Sequence, residues 1–131
     1  MTVIRVLATL SLVFLSKCSR DETLTAYGGA DTTWALLEMD GQSVPAGTTL
    51  TFPSHGALTG LGPCNSYSGK QTAPYPWFKA EQISSTERAC PELTFEGQYL
   101  TALSEMTLSE IAAPTLILSN DSGRELVFQA Q

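Results

Sequence analysis

Gly60-Leu61-Gly62-Pro63-Cys64-Asn65-Ser66-Tyr67-Ser68-Gly69, answered 26 positions after its cysteine by Thr86-Glu87-Arg88-Ala89-Cys90, is the stretch on which the reading of this 131-residue chain turns. Cys64 and Cys90 are the only cysteines beyond position 18, and each lies among turn-forming residues rather than in an apolar stripe. In an oxidising compartment two such thiols read most simply as one disulfide. A redox Cys-x-x-Cys centre or a four-ligand zinc site would need residues the chain lacks, because there is no close cysteine pair and His55 is the single histidine. No metal site and no cofactor is therefore expected. A crosslink closing a loop of this length stabilises a fold by roughly 3 to 4 kcal/mol on the chain-entropy estimate, a large share of a small domain's stability.

The N-terminal residues argue for export independently. Arg5 is the only charge before an apolar run from Val6 to Leu15, about ten residues against the ~20 that a membrane-spanning helix needs. Such a run suits the core of a signal peptide. Leu15-Ser16-Lys17-Cys18 resembles the lipobox of bacterial lipoproteins, in which the cysteine becomes the lipid-bearing first residue of the mature chain; Lys17 stands where that motif has a small residue. Lipid on Cys18 would also account for the odd cysteine count. The alternative is ordinary cleavage after Gly28-Gly29-Ala30, some distance beyond the apolar core, which would release a soluble periplasmic protein. Ser19 resembles the default for outer-membrane delivery, so an outer-membrane lipoprotein facing the periplasm is expected.

The chain carries 7 basic and 13 acidic residues, and without Arg5 and Lys17 of the leader 5 remain against 13. A surface that acidic repels phosphate backbones and anionic lipid, so no nucleic-acid partner is expected, and membrane attachment would depend on the acyl group. The expected organisation is a signal peptide over 1–17, a flexible polar tether over 18–32, and one folded domain over 33–131.

Within that domain the pattern is mostly of short strands. Trp34 and Leu36 alternate with Ala35 and Leu37 before a turn at Asp40-Gly41, and Leu50 and Phe52 share one face of Thr48–Phe52. Pro53-Ser54-His55-Gly56 turns the chain into a partner strand over 57–61, where Gly60 falls at a place a side chain would crowd. Trp77–Ile83 reads as a further strand. Thr115–Ser119 and Glu125–Gln129 flank the turn-forming Asn120-Asp121-Ser122-Gly123 as a hairpin. From Pro91 to Met106 the rhythm changes: Phe95, Tyr99, Ala102, Leu103 and Met106 recur at helical spacing. One amphipathic helix on several antiparallel strands predicts an α+β fold, mostly antiparallel strands in a small barrel-like sheet with one packed helix.

The Gly60–Gly69 string, Thr86–Cys90, the run Glu96-x-x-Tyr99-Leu100-x-x-Leu103 and the preceding Trp34-x-Leu36 strand together resemble the META/HslJ-like domain family. Pro63 stands where that family usually has glycine. The resemblance implies an antiparallel, barrel-like sheet with a helix, in secreted or envelope proteins, and no established catalytic residues.

Weighed on their own chemistry, the candidates favour architecture. Cys64 as nucleophile with His55 as base fails if Cys64 is paired. Glu92 and Glu96 lie one turn apart, but a helix N-terminus favours acids without catalysis. Asn120-Asp121-Ser122 fits a glycosylation sequon and is better read as a turn. A binding surface is sought in Asn65, Tyr67, Tyr75 and Trp77, with Tyr75-Pro76 as its exposed part, Trp77 and Tyr67 packed beneath the loop, and Asn65 bonding its own backbone. The chain is thus expected to be no enzyme. Two functions remain: an envelope module that binds a protein partner or serves under envelope stress, and a carrier that holds a small ligand inside a barrel.

Overall fold

The structure, a computed structural model, describes residues 20–131; the leader and Cys18 lie outside them. Strand β1 (Trp34–Met39) buries Trp34 and Leu36 as the alternation requires. Asp40 and Gly41 both take positive φ, the geometry of a two-residue hairpin turn, and lead into β2 (Gln42–Ser43). The short β3 (Thr49–Leu50) pairs with Trp34 and Ala35, so β2 and β3 line β1 at opposite ends. β4 (Gly56–Leu61), β5 (Ser66–Gln71) and β6 (Glu81–Ser85) form a three-stranded antiparallel sheet. After the helix α1 (Leu93–Glu105), β7 (Leu108–Ala112), β8 (Thr115–Ser119) and β9 (Glu125–Ala130) join β1, giving the order β2-β1-β9-β8-β7 with β3 beside β1.

The fold is α+β and antiparallel, but the barrel expected from the sequence does not close. Two sheets meet instead through single bridges, Thr51 with Thr59 and Trp77 with Leu108. Prolines account for the gaps. Pro53 follows so closely on β3 that its hairpin with β4 is reduced to the reciprocal pair Thr51 N–H to Thr59 O (2.7 Å) and Thr59 N–H to Thr51 O (3.0 Å). Pro74 and Pro76 likewise remove donors before Trp77, and the strand expected over 77–83 begins only at Glu81.

Tyr99 holds the two sheets and the helix together. Its ring meets Tyr67 of β5 and Phe128 of β9 edge-on, with centroids 5.8 and 6.5 Å apart. Its hydroxyl lies 2.7 Å from that of Tyr67, which donates in turn to the carbonyl of Thr49 at 2.6 Å. Because the Tyr67 proton is committed to Thr49, Tyr99 is the donor between the two. Gly60 makes the arrangement possible: a Cβ there would collide with the Thr49 carbonyl and the Tyr67 ring. Trp34, Leu50, Phe52, Leu58, Leu103 and Leu118 fill the surrounding space.

Residues 22–32 are not the tether their composition suggested. Thr23 and Leu24 are buried, Thr25–Gly29 forms a helical turn, and the Tyr75 N–H donates to the Glu22 carbonyl at 2.7 Å. One leucine has no periodicity to betray it, yet burying it is worth roughly 1.5 to 3 kcal/mol, enough to hold a short polar segment against the sheet. The folded unit therefore begins near Glu22 and not at 33.

The far end of the molecule is clamped by charge. Asp40 accepts from Arg124 Nη2 at 2.9 Å and from the Glu125 N–H at 3.1 Å, while Arg124 Nη1 donates to Glu105 of α1 at 2.9 Å. Asn120 caps the same loop, its Oδ1 accepting from the N–H groups of Ser122 and Arg124; this is the turn role preferred over the sequon. Arg124, and then the Glu125 N–H, hold the Asp40 carboxyl below its ordinary value against a smaller opposing effect of burial. Stability from this group is complete above about pH 4 and is lost as the pH falls through the lower value of the folded chain. Asp40→Asn is accordingly expected to lower the urea midpoint at pH 7, with the gap to wild type narrowing as both are titrated below pH 4; a gap independent of pH would show that the charge does not matter.

Candidate functional site

The sequence motif converges on one buried carboxylate. Glu96 lies in the first turn of α1, where the positive end of the helix favours an acid, but on the inward face it shares with Tyr99 and Leu103. Its Oε2 accepts from the backbone N–H groups of Cys64 (2.7 Å) and Asn65 (2.9 Å), and its Oε1 from the Asn65 amide at 2.7 Å. Gly62 leaves the room: a Cβ would strike the Glu96 carboxylate. Asn65 passes the network on, its amide donating also to the Arg88 carbonyl (3.0 Å) and its Oδ1 accepting from Thr86 Oγ1 (2.8 Å) and the Arg88 N–H (2.6 Å). The Cys64–Cys90 disulfide, with Cα atoms 5.5 Å apart, fastens the same two segments covalently.

These contacts reassign the candidates read from sequence. Asn65 and Tyr67 are buried, and Asn65 bonds to neighbouring segments rather than to its own backbone. Tyr75 and Trp77 exchange the places expected of them. Tyr75 is half-buried and stacked on Tyr27, its hydroxyl taking the Ile111 N–H, whereas Trp77 is 58% exposed. The reason is again Pro74 and Pro76: without a strand at 74–80 the alternation that would have turned Trp77 inward is absent, and Phe78 fills the core instead. His55 is exposed and pairs with Asp21 at 2.8 Å, and Cys64 has no thiol to offer. Burial pushes the phenols of Tyr67 and Tyr99 up, so neither supplies a ready phenolate. Glu96 is more than the helix-end acid its position suggests, since it is buried. The signal that identifies it is its spacing of three from Tyr99, which sets a charge on the apolar face, where it must find partners.

Outside this node lies a surface groove of about 400 Å³ between the extended segment 85–89 and the start of α1. Ala89, Leu93 and Leu100 make it apolar, Thr86 and Arg88 rim it, and Asn65 and Glu96 reach its wall. The side chains of 86–89 are exposed while their backbone is pinned from within by Asn65 and by the Thr86 N–H bond to the Ser66 carbonyl (3.1 Å). The result is a short extended edge presented in one conformation beside an apolar floor.

Glu96→Gln is expected to lower the unfolding free energy by about 1 to 3 kcal/mol, since its amide must face a donor on one side or the other. Urea denaturation at neutral pH measures it; an unchanged midpoint would remove the carboxylate from the account. Trp77→Ala serves as the surface comparison and is expected to stay within about 0.5 kcal/mol of wild type.

Comparison with known proteins agrees with this architecture. An NMR structure of a protein from Burkholderia xenovorans is 25% identical, with a TM-score of 0.68 over 98% of this chain and 99% of that one. A crystal structure of a DUF4847 family protein from Bacteroides vulgatus shares the fold at 14% identity and a TM-score of 0.62, covering 80% of this chain and 96% of that one. Among curated proteins no match is found. The family model described as META domain matches residues 22–131, the same start at which the chain begins to pack, and with its motif residues placed as above the protein belongs to the META domain family.

Proposed function

We propose that this META-domain protein is a non-enzymatic envelope lipoprotein that binds a partner through a rigid surface. Cys18 carries the lipid, and the groove between 85–89 and α1 receives an apolar side chain of an envelope protein. The observation that carries this reading is the pinned edge beside the groove: the backbone of 86–88 is already ordered, so binding there costs little further conformational entropy. The motif residues that might have performed chemistry are engaged internally, by the disulfide, by three hydrogen bonds at Glu96 and by the paired phenols. A role under envelope stress fits such a module. The carrier reading is less well supported, since the sheets do not close and aromatic and leucine side chains occupy the space between them.

Processing at Cys18 gains support from the packing of Leu24. Cleavage after Ala30 would remove a fully buried core residue and the Thr23–Pro74 bridge, whereas cleavage before Cys18 leaves both in place.

Two measurements test the proposal. A palmitate analogue is expected to label the wild type and not Cys18→Ser; equal labelling, or none, would refute the anchor. A photo-crosslinking residue at Leu93 is expected to give one discrete adduct in intact envelopes, and the same residue at Gln129, exposed on the other sheet, none. Indistinguishable patterns at the two positions would refute the groove.

A further inference from the structure

Tyr27 and Trp77 are large aromatic side chains left 53% and 58% exposed, and both lie next to the segment Pro74–Tyr75 that bridges to Thr23, through which the chain runs back toward Cys18. Their backbones are not loose. The Trp77 N–H bonds to the Pro74 carbonyl (2.8 Å), the Ser109 N–H to the Pro76 carbonyl (2.7 Å) and the Phe78 N–H to the Thr107 carbonyl (2.9 Å), so Trp77 is fixed to the edge of β7 with its side chain outward. Tyr27 stacks on Tyr75 with ring centroids 4.9 Å apart, and the Tyr75 N–H holds the Glu22 carbonyl. One cluster therefore joins Tyr27, Tyr75, Trp77 and the exit of the chain.

The length of the leash sets where this cluster must be. Glu22 is four positions after Cys18, and four Cα–Cα steps span at most about 14 Å whatever path they take. A lipid on Cys18 enters the bilayer at its surface, so Glu22 and the Tyr75 that holds it lie within about that distance of the headgroups, whose layer is itself roughly 5 to 8 Å deep. The domain has no room to stand off. Trp and Tyr rings, apolar in body with one polar tip, are the side chains that favour the headgroup level.

We propose that Tyr27 and Trp77 form an aromatic foot that rests in the headgroup layer of the membrane beside Cys18 and fixes the orientation of the domain on it. The proposal rests on the reading of Cys18 as lipidated. Asp21 and Glu22 lie beside Arg20 where the chain leaves the domain, Glu110 and Lys79 flank the Trp77 edge, and beyond the leader the chain carries 13 acidic against 5 basic residues. The matching surface is thus zwitterionic, a phosphatidylethanolamine or phosphatidylcholine leaflet, and an anionic one is disfavoured.

The built-in probe is Trp77 itself, because the other tryptophan, Trp34, is 1% exposed and silent to aqueous quenchers. The lipoprotein recovered from envelopes is placed in phosphatidylcholine–phosphatidylethanolamine vesicles, and the emission lost in Trp77→Phe is assigned to Trp77. Its quenching by iodide is expected to fall at least about twofold relative to soluble Cys18→Ser, with quenching by brominated lipid appearing in its place. Iodide quenching equal to that in solution, or no effect of brominated lipid, would overturn the foot. If mass spectrometry finds Cys18 unmodified, the lipidation reading fails separately. The same chain is then coupled through Cys18, the one cysteine outside the disulfide, to a maleimide phospholipid in the vesicles, and the same two quenchers decide the present inference.

Discussion

The carboxylate of Glu96 is the constraint on which the motif region depends. A buried charge is tolerated only with partners in good geometry, and Glu96 finds three donors, all from Cys64 and Asn65. The dependence runs both ways, since without Glu96 the Cys64 and Asn65 N–H groups would face a helix with nothing to accept them. Gly62 is small for the sake of this contact, Asn65 extends it to Thr86 and Arg88, and Tyr99, one turn further along α1, carries the helix into the Tyr67–Thr49 chain. Motif residues far apart in sequence are thus coupled through one side chain. The disulfide is a second, covalent fastening of the same two segments.

That coupling explains how the motif serves as architecture. The side chains of Asn65, Tyr67, Glu96 and Tyr99 have hydrogen-bond partners within the domain, and what reaches the surface is the outer side of the segment so held. The groove takes its apolar character from Ala89, Leu93 and Leu100, none of which belongs to the polar network. Recognition would therefore be free to vary in residues 86–89 and the first turns of α1 while the supporting node stays fixed.

Much of this was legible in the sequence. The inward face of α1, the alternation of β1, the terminal hairpin and the crowding at Gly60 follow from local pattern, because in each the residues that decide the outcome are neighbours or lie at a regular spacing, and the disulfide follows from Cys64 and Cys90 being the only cysteines beyond position 18. The failures share a different physics. Trp77 was turned outward and the barrel left open by prolines that withhold single ladder donors, an effect felt across strands and not along them. Leu24 anchors the start of the domain as one buried side chain, without any repeat to reveal it. Asn65 was expected to bond locally, and its partners instead lie 21 to 31 residues away. The packed N-terminal segment also bears on the proposal: a domain that packs from Glu22 onward would lie close to the membrane if Cys18 carries a lipid.

The most direct test of the central claim is native-state hydrogen exchange at the Cys64 and Asn65 amides. Both lie in a loop between β4 and β5, where backbone N–H groups ordinarily exchange through local opening at little free-energy cost. Held by Glu96, they are expected to exchange as slowly as the amides of Tyr99 and Leu103 in the core of α1, and to lose that protection in Glu96→Gln while the β8–β9 hairpin keeps its own. Rapid exchange of both amides in the wild type, at rates typical of open loops, would contradict the account.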